Sequence, residues 1–325
     1  MHDRAALVAH ARRTIARGSK SFAAASMLFD KETRERVWLL YGWCRAADDL
    51  ADAQDMGGPL GVSELGNQSG AAERLAIIRD RTALTLAGKE TGDPSFDGLG
   101  VVARECGLSA AMCDDVIAGF ALDSDDWRPR GEPDMLLYCY HVAGAVGVMM
   151  AKVMGVPDDD ADTLDRACDL GIAFQLANIV RDLWEDDAAG RCYLPVEWLV
   201  EADIAPGQHM KPMYRPQLVA MVRRAVEMAR AYEASARIGA ARLPLRSRWA
   251  ILSATGIYGS IARKVEKAGE HGWDHRAFTG KFEKLGHVLG AGAASLTRPP
   301  ASCEEEALGR PLTRRDFEVL ARAAR

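Results

Sequence analysis

Two groups of aspartates in this sequence are spaced so that a helix would place each group on a single face. In the first, YGWCRAADDLAD at 41–52, Asp48 and Asp52 stand four residues apart, and Tyr41 and Arg45 fall in the same sector. Carboxylates stacked at this spacing repel each other, and the free-energy cost of this repulsion grows when water is excluded from them. A bound cation compensates such a stripe, whereas a solvated acidic helix end is the alternative interpretation.

The second group lies about 130 residues further along, in QLANIVRDLWEDD at 175–187. Here Gln175, Asn178, Asp182 and Asp186 share one face at helical spacing. The opposite face is built of leucine, isoleucine and valine, so we predict a helix that is buried around its polar stripe. Either stripe alone is also consistent with a charged surface, but the two together favour a metal site.

The donors in these stripes are carboxylate and amide oxygens, which suit a hard cation. Mg²⁺ commonly joins protein carboxylates to substrate phosphates, and Mn²⁺ is the alternative ion for the same donors. Two such stripes with an arginine therefore predict a diphosphate clamp that helps an allylic C–O bond to ionise. A zinc site is not expected: His271 and His275 are four residues apart, but Gly272 interrupts them and no third ligand is evident, so we predict structural or surface roles.

The composition is that of an ordinary globular chain, with 325 residues, 48% apolar and 27% charged. The net charge of -5 argues against a general affinity for nucleic acid.

Seven cysteines without a CxxC pair predict reduced and mostly buried thiols. The N-terminus lacks the apolar core of a secretory signal, and the longest apolar stretch, 142–151, is too short to cross a bilayer, so we predict a cytoplasmic chain without a transmembrane helix.

Strand signals are nearly absent, while alanine, leucine, arginine and glutamate recur at helical spacing, which predicts an all-α fold. The stretch 54–70 is rich in glycine and serine and predicts either a mobile loop beside a site or a plain surface connection. The predicted helices cover roughly 5–17, 31–53, 70–88, 96–105, 109–121, 133–154, 159–187, 215–241, 247–268 and 275–288.

No linker clearly divides the first part of the chain, so we expect one domain over 1–289. From 290 onward the helical periodicity is lost until a short basic helix near 313–323, which makes 290–325 an appended C-terminal tail. The basic end of this tail contains Arg310, Arg314 and Arg315, and we expect its helix to be solvated.

Five segments resemble the squalene and phytoene synthase family, the head-to-head prenyl transferases, and are most similar to its bacterial phytoene synthases. They stand in the family's order and approximate spacing, and the resemblance runs over about residues 10–290. The segments are GSKSFAAAS at 18–26, YGWCRAADDLAD at 41–52, YCYHVAGAVGVMM at 138–150, QLANIVRDLWEDD at 175–187 and GRCYLP at 190–195.

The resemblance implies a single-domain class I isoprenoid synthase fold, the helical fold of trans-prenyl synthases, with a central cavity. It implies an Mg²⁺-dependent enzyme of carotenoid biosynthesis that condenses two molecules of geranylgeranyl diphosphate into 15-cis-phytoene and two diphosphates. The intermediate is prephytoene diphosphate, a cyclopropylcarbinyl diphosphate. Squalene formation consumes a hydride from NADPH, whereas phytoene formation ends with the loss of a proton, so no NADPH is expected.

The resemblance also assigns roles to the matching residues of this sequence. The residues expected to hold Mg²⁺ are Asp48, Asp52, Asn178, Asp182 and Asp186. The residues expected to bind the substrate diphosphate are Ser19, Lys20, Ser21, Arg45 and Tyr138. The residues expected to act catalytically near the reacting carbons are Tyr41, Arg45, Asp49, Gln175 and Tyr258. The alternatives are a helix-capping loop for the serines and a core position for each aromatic ring.

One helix face within 141–155 is almost bare, because Ala143, Gly147 and Ala151 recur every four residues. Close packing of two helices is one explanation. The other is that this face lines an apolar tunnel for a prenyl chain, in which case Gly147→Leu would shorten the chain that is accepted.

Several other functions fit the same motifs. With farnesyl diphosphate as substrate, the chain would be a dehydrosqualene or squalene-type synthase. A class I terpene cyclase uses similar acidic motifs but takes one substrate, and a chain-elongating prenyl synthase carries two DDxxD motifs, unlike the second motif here. A non-catalytic assembly factor of the superfamily would be expected to lose metal carboxylates, which are intact here. Because substrate and product are apolar, peripheral association with the inner face of the membrane is a further hypothesis.

Overall fold

The computed structural model describes residues 3–55, 69–124, 127–297 and 309–324. These residues form helices joined by short connections, with no strand among them, which confirms the predicted all-α class. The predicted loop at 54–70 falls largely outside the described residues. The α-helices are α1 (Arg4–Gly18), α2 (Lys20–Ser26), α3 (Lys31–Ala51), α4 (Ala71–Leu86), α5 (Pro94–Cys106), α6 (Ala110–Ser124), α7 (Glu132–Cys139), α8 (Ala145–Val153), α9 (Ala161–Ala188), α10 (Val196–Glu201), α11 (Arg215–Ala240), α12 (Leu245–Ala268), α13 (Lys281–Leu296) and α14 (Arg314–Ala324).

The helices group into two compact units. The first comprises Met1–Asp125 and Val148–Asp160, and the second comprises Asp126–Gly147 and Ala161–Arg325. The single domain that the sequence suggests over 1–289 stays a prediction. Each unit contains one of the two acidic stripes, so each is described by itself.

In the first unit, α3 is the central helix, and α1, α4, α5 and α6 pack around it. The helix begins where Asp30 caps it, with the Asp30 side chain accepting a hydrogen bond from the Thr33 backbone N–H at 2.9 Å. Leu40 and Trp43 are fully buried, and the Trp43 indole donates to the Thr82 hydroxyl of α4 at 3.2 Å. These contacts fix the rotation of α3, so its polar stripe lies outside this apolar core.

In the second unit, the long helix α9 is packed against α11, α12 and the π-helical turn Tyr140–Gly144, which joins α7 to α8. Its apolar face is buried as predicted: Leu176, Ile179, Val180 and Leu183 are almost completely withdrawn from solvent. Burial on this scale contributes about 1.5–3 kcal/mol for each large apolar side chain. The polar stripe of α9 is therefore held on a helix that cannot rotate freely.

Most of the described cysteines and the longest apolar helix lie inside the helical core. Within the described residues six cysteines are free and four of these are buried, as predicted, whereas Cys303 lies outside the described residues. One described helix, Glu132–Val153, is long and apolar enough to cross a membrane, but 67% of its most apolar window is buried inside the protein. Such burial is typical of a helix in a protein core.

The helix face at Gly147 that lacks large side chains packs directly against α9. A Cβ atom on Gly147 would stand 2.2 Å from the Ala167 carbonyl oxygen. One turn away, a Cβ on Gly171 would stand 2.1 Å from the Ala143 carbonyl oxygen. Glycine is required at both positions because the two backbones approach each other directly. The tunnel interpretation of Gly147 is therefore wrong, and close helix packing is the correct one.

Helix α13 begins and ends later than the prediction of 275–288. Its first turn is set by the Gly280 N–H, which donates to the Glu283 carboxylate at 3.2 Å. Its last turns, rich in glycine, are held by long-range contacts that the local sequence does not reveal. The Trp249 indole donates to the Val288 carbonyl at 2.7 Å, and the Arg248 guanidinium donates to the Ser295 carbonyl at 2.9 Å. The short helices α2 and α10 were not predicted.

The C-terminal helix α14 is packed on the second unit, so the expectation of a solvated terminal helix is wrong. Phe317 is fully buried and stacks on Tyr140 with the ring centroids 5.4 Å apart. The Tyr232 hydroxyl donates to the Leu312 carbonyl at 2.9 Å. Arg314 forms an ion pair with Asp165 of α9. The segment that looked like an appended tail is thus tied to α9, α11 and the π-helical turn.

A buried ion pair at the start of this segment joins Arg310 to Asp169 of α9, with side chains 4% and 0% exposed. Burial raises the pKa of Asp169 to about 6, although the hydrogen bond from Ser235 and the charge of Arg310 oppose the rise. The free-energy cost of removing both charges from water therefore cancels much of the free energy that their attraction contributes.

We expect Asp169→Asn and Arg310→Met each to lower the free energy of unfolding by about 3–5 kcal/mol, because each leaves one buried charge without its partner. The double variant removes both charges and should be more stable than either single variant. Urea denaturation of the four proteins measures this coupling. Strictly additive losses would show that the two side chains do not form a buried pair.

Candidate active site

The first stripe is formed by the last turns of α3. Arg45 lies between two of its acids, 2.7 Å from the Asp48 carboxylate and 3.5 Å from that of Asp49. Asp52 is the C-cap residue of the helix, one turn beyond Asp48. Tyr41, one turn before Arg45, is partly buried. The helical register that the sequence predicts for Tyr41, Arg45, Asp48 and Asp52 is therefore present in the structure.

This stripe places three carboxylates and one arginine at the end of α3. Partial burial raises the pKa of Asp48 to about 7, and the charge of Arg45 only partly opposes the rise. The carboxylates of Asp52, Asp49 and Asp123 add to it. Asp123 is contributed by α6 and was not among the predicted site residues, since nothing in its local sequence distinguishes it. Solvent still reaches 41% of the Asp48 side chain, so a ligand has access to this carboxylate.

Three of the five residues predicted to contact diphosphate, Ser19, Lys20 and Ser21, lie around the start of α2. Ser19 is the N-cap residue of α2, and its hydroxyl accepts a hydrogen bond from the Phe22 N–H at 3.2 Å. Lys20 is exposed, and the side chain of Ser21 lies outside what the structure describes. The Phe22 ring packs against Tyr41 of α3 at 5.6 Å between centroids. The capping alternative thus applies to Ser19, and its diphosphate role stays a prediction.

The second stripe follows one face of α9 in the second unit. The Asn178 amide donates to the Gln175 side-chain oxygen at 3.2 Å, which orients both amides. Asp182 lies one turn further on and is partly buried, and Asp186 follows after another turn. The structure therefore places all four predicted residues along one helix face.

Asp182 is held by two arginines. The Arg276 guanidinium donates to both of its oxygens, at 2.9 and 3.0 Å, and the adjacent Arg181 also forms an ion pair with it. Burial opposes ionisation of Asp182, but the hydrogen bonds from Arg181 and Arg276 outweigh it and hold its pKa below the usual value. A cation that binds Asp182 therefore has to displace these arginine hydrogen bonds or share the carboxylate with them.

Arg276 is the clearest residue that sequence analysis missed. It lies 94 residues beyond its partner in the chain, in the segment EHGWDHR that drew attention only for its histidines. Those histidines have surface positions: His271 is exposed and pairs with Asp274 at 2.8 Å. No local spacing links Arg276 to Asp182, because only the packing of the loop before α13 brings them together.

Aromatic side chains line two further positions in the second unit. Tyr138 is buried between the rings of Tyr193 and Trp127, at centroid distances of 4.7 and 5.6 Å. Tyr258 of α12 stacks on Phe174 of α9 at 4.3 Å. These contacts orient both tyrosine rings, and the faces of such rings can stabilise a passing carbocation. Their predicted roles toward substrate stay predictions.

The donor set of the two stripes fits a hard divalent cation. Every side chain in them that can bind a metal does so through oxygen, and in the first stripe the neighbouring carboxylates raise the pKa of Asp48. Among the described residues, however, no three of His, Cys, Asp and Glu lie close enough to complete a metal site alone. Each stripe therefore supplies part of a ligand set, which waters and phosphate oxygens commonly complete for Mg²⁺.

Comparison with known proteins agrees with this fold and this pair of motifs. The structure matches a dehydrosqualene synthase in complex with ligand with a TM-score of 0.78 and 26% identity, covering 90% of this chain and 97% of the other. It matches a squalene synthase of Alicyclobacillus acidocaldarius with a TM-score of 0.70 and 20% identity, covering 81% and 94%. The fold is thus the helical fold of class I isoprenoid synthases.

Sequence similarity places the chain more narrowly. Residues 15–283 match the family described as Squalene/phytoene synthase. The chain is 44% identical over 291 residues to a 15-cis-phytoene synthase of Pantoea ananas, with 90% of this chain and 93% of the relative covered. It is 43% identical over 302 residues to a phytoene synthase of Pseudescherichia vulneris, with 91% and 96% covered. The chain belongs to the squalene/phytoene synthase family, which confirms the resemblance of the five motifs.

Proposed function

We propose that this chain is a prenyl transferase that condenses two molecules of geranylgeranyl diphosphate into 15-cis-phytoene. The observation that carries this proposal is the 42–44% identity, across 86–91% of the chain, to bacterial relatives named phytoene synthase or 15-cis-phytoene synthase. Both acidic stripes are complete, which supports an active enzyme over a non-catalytic assembly factor.

The reaction is balanced without a reductant. In the first half, the C–O bond of one substrate breaks, its diphosphate leaves with the bonding electrons, and the double bond of the second substrate attacks the allylic cation. Loss of a proton then closes the cyclopropane ring. In the second half, the remaining diphosphate leaves, the cation rearranges to join the two substrate C1 atoms, and loss of a second proton forms the central double bond.

The residues of the two stripes have distinct tasks in this proposal. Asp48 and Asp52 would hold a divalent cation at one diphosphate, and Asn178, Asp182 and Asp186 would hold it at the other. The cation, when bound, supplies positive charge that stabilises the departing diphosphate. Arg45 orients the Asp48 carboxylate through its 2.7 Å contact and contributes its own charge beside the leaving group. The released diphosphate accepts the proton.

The family depends in general on a divalent metal, and we propose Mg²⁺ as the working ion, with Mn²⁺ as a substitute. We expect EDTA to lower phytoene formation by about 100-fold or more, and Mg²⁺ or Mn²⁺ to restore it. Zn²⁺ should not restore it, because the stripes contain neither thiolate nor imidazole. A full rate in metal-free buffer would contradict the proposed tasks of both stripes.

A direct test offers the purified protein geranylgeranyl diphosphate or farnesyl diphosphate, with Mg²⁺ and without NADPH, and identifies the extracted hydrocarbon by mass and ultraviolet spectrum. The proposal predicts a C40 triene from the first substrate. A C30 hydrocarbon from farnesyl diphosphate alone would keep the reaction type and overturn the substrate. No hydrocarbon from either substrate would favour a non-catalytic role.

We propose in addition that the enzyme works in the cytoplasm at the inner face of the membrane. The support is chemical: both substrates carry long apolar chains, and the hydrocarbon product is insoluble in water. Release into a bilayer is therefore the favourable route for the product. Cell fractionation followed by immunoblotting tests this location, and a signal confined to the soluble fraction would contradict it.

A further inference from the structure

His209 is a buried histidine without a hydrogen-bond partner. It lies in the connection between α10 and α11, and only 1% of its surface is exposed. Neither ring nitrogen, Nδ1 nor Nε2, forms a hydrogen bond with any residue that the structure describes. Because buried polar groups are nearly always hydrogen-bonded, an imidazole in this position requires an explanation.

The His209 ring lies beside the last turn of α9. Its Nε2 atom is 3.7 Å from the Asp187 carboxylate, which is itself 32% exposed. This distance is longer than that of a direct hydrogen bond, and a movement of about 0.7 Å would make one. Burial lowers the pKa of His209; the charge of Asp187 opposes this effect, and that of Arg128 adds to it. The neutral imidazole keeps one N–H, which it can donate to the carboxylate.

The connection that contains His209 is anchored on both sides of it. Ile204 and Met210 are buried. The Lys211 N–H donates to the Gln208 carbonyl at 3.0 Å, which closes a turn around His209. The imidazole therefore cannot turn toward solvent unless the buried side chains beside it are withdrawn from the core.

Asp187 lies on a different side of α9 from the second acidic stripe. The helix continues through both Asp186 and Asp187, so at about 100° per residue Asp187 is turned about 140° away from Asp182. Its direction falls between those of Val180 and Leu183, which belong to the buried apolar face. A cation between Asp182 and Asp186 is therefore out of reach of Asp187.

We propose that His209 is a positioning residue, which holds the Asp187 carboxylate on the buried side of α9 and thereby turns Asp186 toward the cation and the diphosphate. The inference rests on the proposed function, which supplies both of these ligands. Without the imidazole, the Asp187 charge would face apolar side chains with no partner beside it. The last turn of α9 could relieve this only by unwinding or rotating, and either movement displaces Asp186.

Thermal unfolding tests the proposal with Mg²⁺ and inorganic diphosphate as the probe, because a bound probe raises the unfolding temperature. We expect His209→Leu to need about ten-fold more probe than the unchanged protein for the same rise. His209→Gln keeps a side-chain N–H and should need at most about three-fold more. The matched control is Met210→Ala, which removes a buried side chain of the same connection. It should lower the unfolding temperature without probe and leave the probe requirement unchanged.

Two aspartate variants identify the acid through which His209 acts. We expect Asp186→Asn to abolish most of the rise and Asp187→Asn to cause a smaller loss. In the Asp187→Asn background, His209→Leu should add little further loss, because the partner of the imidazole is already changed. The comparison of the two aspartate variants needs no change at His209, so it remains decisive if His209→Leu does not fold.

Two outcomes would overturn the positioning role. One is an equal probe requirement for His209→Leu and Met210→Ala. The other is a greater loss from Asp187→Asn than from Asp186→Asn, which would make Asp187 the metal ligand. Hydrocarbon formation from geranylgeranyl diphosphate by the unchanged protein separates this proposal from the proposed function. Product together with either of those outcomes refutes the positioning role alone, whereas the expected probe requirements without any product refute the proposed function alone.

Discussion

Replacing Asp48 by asparagine is expected to lower kcat for phytoene formation by about a thousand-fold while the protein stays folded. The amide keeps the shape of the side chain and an oxygen that Arg45 can contact, but it removes the charge that attracts a divalent cation. Partial burial and neighbouring carboxylates raise the pKa of Asp48 to about 7, so removal of its charge is not expected to weaken folding at neutral pH. The variant should therefore unfold at the same temperature as the unchanged protein, or at a higher one.

The matched control for this experiment is Asp55→Asn. Asp55 lies just beyond the stripe, is 81% exposed and is 3.6 Å from Arg17. Removal of its charge should change neither kcat nor the unfolding temperature measurably. Steady-state kinetics and thermal unfolding of the three proteins complete the comparison. An Asp48→Asn enzyme with an unchanged kcat would show that the first stripe is not part of the catalytic machinery.

Replacing Gly147 by alanine is expected to destabilise the protein by about 3 kcal/mol. The new Cβ would stand 2.2 Å from the Ala167 carbonyl oxygen, which belongs to the backbone of α9 and cannot rotate away. The helix containing Gly147 would have to move outward, and the neighbouring close contact at Gly171 would open with it. Gly147→Leu should fail to fold for the same reason.

Gly286→Ala is the matched control, because Gly286 is also a glycine inside a helix but has open space around it. This substitution should stabilise the protein by about 0.5–1 kcal/mol, through the higher helix propensity of alanine. Urea denaturation midpoints compare the two variants. If Gly147→Ala were as stable as the unchanged protein and gave shorter hydrocarbons, the tunnel interpretation of this face would have to replace the packing one.

Helical periodicity was sufficient to predict the parts of the fold that local sequence determines. The polar stripes of α3 and α9 appear at the predicted residues, because the spacing of side chains around a helix depends only on backbone geometry. The buried face of α9 also follows directly from its run of leucine, isoleucine and valine. The resemblance of five motifs to one family was confirmed by similarity over residues 15–283.

Long-range contacts account for the parts that were not predicted. The loss of helical periodicity from residue 290 onward suggested that the helix ended early, but contacts with Trp249 and Arg248 of α12 hold it as far as Leu296. The C-terminal segment was expected to be solvated because few of its residues make buried contacts. Phe317 is one of them, and Arg310 forms an ion pair with Asp169, which is 141 residues away in the sequence. No periodic pattern records such pairings.

The two ends of α9 show how the same helix serves stability and function. Asp169 lies nine residues before Asn178, which places it on nearly the opposite side of the helix. Its buried pair with Arg310 fastens the C-terminal segment to that side. The stripe on the other side remains available for a ligand. Contacts with the C-terminal segment therefore position α9 without occupying its polar face.

The most direct test of the central claim is the ratio of diphosphate to hydrocarbon in one reaction, with geranylgeranyl diphosphate and Mg²⁺ as the only additions. Head-to-head condensation predicts two diphosphates released for each C40 molecule, and neither product after treatment with EDTA. A ratio of one diphosphate to one C20 hydrocarbon would contradict the account, since it would identify an enzyme that ionises a single substrate and does not join two.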